Sequence, residues 1–117
     1  MISRNDFVFT IGYEGNTAVV DGSLKKRYGG LNTEQLAEEG LYKQALSLAI
    51  YEQATGASRR PGDQGEGGGE DPAAVVLERI LAIYNRNADY RLGSVEDLKR
   101  VFGVFEVPEG VGKVLVV

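Results

Sequence analysis

The chain has no cysteine, no histidine and no tryptophan, and only three of its 117 residues are proline. Without cysteine there is neither a disulfide framework nor a thiolate metal site, so the fold must stand on packing. Without histidine it lacks the side chain most used for proton transfer near neutral pH, which is also the commonest metal ligand. Any catalysis would have to run on Asp, Glu, Lys, Arg, Tyr, Ser or Thr. No uninterrupted apolar run approaches the roughly 18 residues of a membrane span. The first residues carry Arg4 and Asp6 with no apolar stretch behind them, which is not how a secretory signal begins. These absences predict a soluble, cytoplasmic protein of bacterial type, with no cofactor, no metal and no membrane partner.

What is present is ordinary globular material. Hydrophobic residues make up 43% and charged residues 26% of the chain, so one core is within reach. A chain of this length buries roughly two thirds of its unfolded surface, and 1–117 therefore reads as one domain. The net charge of -4 works against non-specific binding to nucleic acid or anionic lipid. Glycine is the one excess, and it is local: residues 56–70, GASRRPGDQGEGGGE, carry no large apolar side chain and read as a flexible surface loop.

The patterning predicts an α+β fold, with two β-hairpins (6–21 and 104–117) forming a small antiparallel sheet on three to four helices (33–39, 41–54, 72–86, 95–102). In the first hairpin Phe7, Phe9 and Ile11 alternate with Val8 and Thr10, and 12–16 is the connection. Asn32, with Gln35 three residues on, marks the start of the first helix, and Gly40 stops it. Residues 41–54 are apolar around more than half the circumference, with Lys43, Gln44 and Ser47 on a narrow polar side, as expected of a central helix. Asp71 as N-cap with Pro72 at the first helical position opens the third, and Ser94 with Asp97 opens the fourth, which ends at Gly103.

Short motifs give nothing chemical. Gly110-Val111-Gly112-Lys113 matches the end of a phosphate-binding loop, but Val107 replaces its first glycine and Val114 the magnesium-binding hydroxyl. Gly12-Tyr13-Glu14-Gly15 has the spacing of the KH-domain clamp, yet it joins strands and carries Glu14. Thr10 to Gly15, TIGYEG, resembles the opening strand of the bacterial domain of unknown function 488. The match spans six residues, and a strand at 17–20 replaces that family's helix, so membership is not assigned. Residues 36–54 are similar in texture to a tetratricopeptide helix pair, but no second copy follows.

Two places remain where a partner could touch. Tyr13 and Glu14 lie at the predicted first turn, and Lys25, Lys26, Arg27 and Tyr28 form the one basic cluster with an aromatic beside it. The expected function is a non-enzymatic protein-interaction domain or accessory subunit, whose partner is another protein and whose binding residues are these six. The alternatives are a small nucleic-acid binder using 25–28, and a carboxylate-dependent enzyme around Glu14 or Glu52. Glu52 shares a helical face with Leu41, Ala45 and Leu48.

Overall fold

The computed structural model describes residues 2–56 and 72–117. In chain order the elements are α1 (Arg4–Val8), β1 (Thr10–Glu14), β2 (Thr17–Val20), α2 (Gly22–Tyr28), α3 (Thr33–Glu38), α4 (Tyr42–Thr55), α5 (Pro72–Asn87), α6 (Val95–Phe102) and β3 (Lys113–Val116). The class is α+β, as expected, with a three-stranded mixed sheet in the order β1-β2-β3. The predicted glycine-rich loop and the Asp71 cap lie outside the described residues, apart from Gly56 at the end of α4.

The helices with local punctuation form where the sequence predicts them. Asn32 Oδ1 accepts from the Gln35 amide at 2.8 Å while Gln35 Oε1 accepts from the Asn32 amide at 3.0 Å, so two amides that a helix start leaves orphaned are satisfied reciprocally. Ser94 Oγ accepts from the Asp97 amide at the start of α6. Gly103, at φ +69°, ends that helix in the left-handed region where a side chain would be strained.

Around α4 the core is complete. Ala45 to Ile50 are all buried, Ser47 included, while Lys43 and Gln44 of the predicted polar side stay half-buried. Helices α1, α3, α5 and α6 all pack on α4. Tyr84 sits edge-on to Tyr42 and to Phe102, with ring centroids 5.1 and 5.9 Å apart, locking α4, α5 and α6 together. The buried apolar side chains form one cluster.

Three expectations need correction. The first hairpin begins at Thr10, not at Asp6, because Arg4–Val8 is helical. Phe7, Val8 and Phe9 are all buried. A strand would send Val8 to the face opposite its neighbours, whereas a helical turn and its cap can deliver all three to one core, and a short apolar run does not distinguish the two by period. Second, 22–28 forms α2, a helix for which the sequence reading had no element. Asp21 caps it, with Oδ1 accepting from the Leu24 amide at 3.0 Å, and the basic residues fall in its last turn, where they suit the helix dipole.

Third, no hairpin forms at 104–117, and the sheet is mixed, not antiparallel. Only β3 is a strand there, and it runs parallel to β2, pairing Thr17 with Lys113 and Val20 with Val116. The Gly112 and Lys113 amides both donate to the Asn16 carbonyl, docking β3 onto the turn of the first hairpin. A local 104–107 and 113–117 ladder would leave the second edge of β2 unpaired. Pairing β3 with β2 satisfies that edge at once.

Candidate functional site

The hairpin turn is tighter than the predicted 12–16 connection. Glu14 pairs with Thr17, leaving Gly15 and Asn16 as a two-residue loop. Gly15 has φ +60° while Asn16 does not have positive φ, the sign pattern of a type II′ turn. Tyr13 and Glu14 are thus strand residues.

The face on which Tyr13 stands is set by an irregularity in β1. The register shifts between Thr10 and Gly12, a bulge at Ile11. Simple alternation would put Thr10 and Tyr13 on opposite faces, but the extra residue reverses the phase beyond it. Thr10 pairs with Val20 and Tyr13 with Ala18, and both of those β2 residues are buried against the helices. Tyr13 therefore stands on the helix side, while Ile11 is 54% exposed.

There it borders an open cleft of about 310 Å³. Phe7, Thr10, Gly12 and Tyr13 form one wall, Lys43 and Ser47 of α4 the floor, and the segment after α6, including Phe105 and Glu106, the remainder. The Thr10 hydroxyl donates to the Asp6 carbonyl. Burial pushes the Tyr13 phenol above its ordinary value, and the adjacent Thr10 hydroxyl pulls the other way without cancelling that. Tyr13 thus remains a neutral hydrogen-bonding group at physiological pH. Lys43 and Glu106 supply one charge of each sign. Tyr13 is 45% exposed and Phe105 58%, so the cleft is bordered by two large aromatic surfaces in contact with water.

The predicted basic segment lies elsewhere. It follows the end of β2 remote from the turn, three residues or roughly 10 Å of strand from Glu14. None of 25–28 lines the cleft. Lys25 is committed internally, its Nζ 2.6 Å from Asp6 Oδ1. The Arg27 guanidinium lies over the half-buried Tyr28 ring, 5.5 Å from its centroid. Lys26 and Arg27 are exposed. Of the six residues the sequence singled out, only Tyr13 belongs to the cleft; Glu14, paired with Thr17, falls on the opposite face of the sheet.

Phe105, Lys43, Ser47 and Thr10 were not expected as site residues. Thr10 was legible as the one hydroxyl within an apolar run, and the others carry no local signal. Glu52 is half-buried at the last turns of α4 and joins no ion pair among the described residues. No group of three or more potential metal-ligating side chains occurs among the described residues. No helix there is long and apolar enough to cross a membrane. No family model, no curated protein and no solved structure matches the chain.

The Asp6–Lys25 pair leads to a pH-dependent expectation. Burial raises the Asp6 carboxyl, but hydrogen bonds from Lys25 and Ser3 and the lysine charge outweigh it and hold the group below its ordinary value. A carboxylate depressed in the folded state contributes stability above its unfolded pKa, and that contribution is lost as pH falls through the folded value. Asp6→Asn is expected to cost about 1–2 kcal/mol near neutrality, the range for a charge-assisted bond partly open to water. The difference from wild type should shrink below about pH 4, where the unfolded carboxyl begins to protonate. Urea unfolding of both chains across pH checks it.

Proposed function

We propose that this chain is a protein-interaction domain or accessory subunit rather than an enzyme, and that it receives an apolar anchor of another protein in the cleft between Tyr13 and Phe105. The observation that supports this reading is the pair of exposed aromatics beside one concavity. Large aromatic rings gain little by standing in water, and they are favoured anchors at interfaces. The Tyr13 phenol, Lys43 and Glu106 offer polar contacts to orient a bound segment. The catalytic alternative has less support, since Glu106 is the cleft's only carboxylate among the described residues, whereas glycosidase-type chemistry needs two flanking one bond. Within 25–28 the nucleic-acid reading is left with two exposed cations once Lys25 is paired, and phosphate-driven binding draws on more.

The test compares wild type, Tyr13→Ala/Phe105→Ala and Arg27→Ala as baits in the native cell, after checking that each variant folds. The partner recovered by wild type should bind the double variant at least about tenfold more weakly, as expected when two anchors are truncated, and Arg27→Ala normally. Retention by the double variant with loss in Arg27→Ala would move the site to α2. Loss on adding salt, with nucleic acid in the eluate, would favour the second reading.

A further inference from the structure

Among the described residues the sheet has two open edges, and they are built differently. The outer edge of β1 is broken by the bulge at Ile11, a common way to keep an edge from pairing. The edge of β3 has no bulge and no proline, and its only charge is Lys113 at its start. Val114, Leu115 and Val116, with Val117 beyond, are 41–65% exposed. A regular apolar strand edge is a template for another strand.

The backbone shows which strand fits. The Lys113 amide donates to the Asn16 carbonyl, the Val117 amide donates to the Val20 carbonyl, and the Val117 carbonyl accepts from the Gly22 amide. Positions 113 and 117 thus turn toward β2 and α2, and the alternation of a strand aims the N–H and C=O of Val114 and Val116 at the open edge. In an antiparallel ladder, residues that exchange both hydrogen bonds sit directly opposite one another. A second copy placed with its Val116 opposite Val114, and its Val114 opposite Val116, pairs every one of these groups. The twofold axis then passes through Leu115.

The side chains agree with that register. Val114 pairs with Ala18 and Val116 with Val20, so both stand on the helix side of the sheet, while Leu115, paired with Val19, stands on the other. About the axis, the two valines of one copy meet those of the second on the helix side, and Leu115 meets its own counterpart on the other. Lys113 faces Val117, so the two lysines lie at opposite ends and no like charges are opposed. Adding the same strand parallel would instead bring lysine alongside lysine. We infer that this chain forms a twofold homodimer through β3, joining two three-stranded sheets into one of six strands. The contact is short, so the dimer is weak and its population rises with protein concentration.

The experiment exploits the axis, because only the residue on it meets itself. Sedimentation equilibrium of wild type over a wide concentration range should show a reversible monomer–dimer equilibrium. Leu115→Lys and Leu115→Glu, each with wild-type thermal stability, should dimerise at least about tenfold more weakly, because each opposes like charges across the strand pair. Mixing the two should restore a heterodimer. Amide hydrogen exchange at Val114 and Val116 should slow as wild-type concentration rises. A wild-type chain that stays monomeric throughout overturns the inference, as does a dimer that both Leu115 variants leave unchanged. Heterodimer rescue distinguishes the proposed register from one in which Leu115 faces a different residue.

Discussion

Phe9→Ala is expected to lower the unfolding free energy by about 3–5 kcal/mol, the usual cost of truncating a buried aromatic. Phe9 is 1% exposed. Its backbone is held at both polar groups, the amide donating to the Asn5 carbonyl at 3.1 Å and the carbonyl accepting from the Asp21 amide at 2.9 Å. The chain there cannot readily collapse into the space left by the ring, which places the cost toward the upper part of that range. The informative control is Ile11→Ala, which should change stability by no more than about 0.5 kcal/mol because the side chain is mostly in water. Urea denaturation of the two variants measures both. Equal losses would restore a regular strand from Asp6 in which Phe9 and Ile11 share one buried face.

Leu48→Ala is expected to cost about 2–5 kcal/mol. The residue is 1% exposed, within the stretch of α4 that is buried on all sides. Alanine is the best helix former, so the helix itself is not weakened and the loss reports packing alone. Gln53→Ala, exposed on the same helix, should fall within about 0.5 kcal/mol of wild type. A near-neutral Leu48→Ala, with the denaturant slope unchanged, would show that α4 is not the element around which the others pack.

The elements that were legible share one property: their signals lie within a few residues of the structure they create. Asn32 and Gln35 satisfy each other's amides, Ser94 meets the amide of Asp97, and Gly103 supplies the left-handed residue that stops α6. Each of those interactions is local, so residue type and spacing suffice to anticipate it. Helix α2 also has such a signal in Asp21, but its single turns carry no apolar stripe strong enough to read as helical. Helix α1 was misread for the opposite reason: its apolar run is real, but too short for either period to be recognised.

The candidate site was legible in one residue and not in its surroundings. Tyr13 stood out as a large aromatic beside glycines, but its face was decided by the bulge at Ile11, which depends on how β1 pairs with β2. Phe105 looked like part of a strand, and its exposure at the cleft follows from the long-range choice of β2 over a local hairpin as the partner of β3.

By itself the sequence determined the α+β class, the punctuation of α3 and α6, and the chemistry that a chain without histidine or cysteine cannot use. These depend on composition, on periodicity and on hydrogen bonds between near neighbours. Only the tertiary structure decided the parallel pairing of β3, the commitment of Lys25 to Asp6, the phase of β1 and the assembly of the cleft. The β3 pairing and the ion pair join groups far apart in the chain, Asn16 with Lys113 and Lys25 with Asp6. Strand pairing is indifferent to sequence separation once the backbone groups of an edge must be satisfied, so no local pattern could have named those partners.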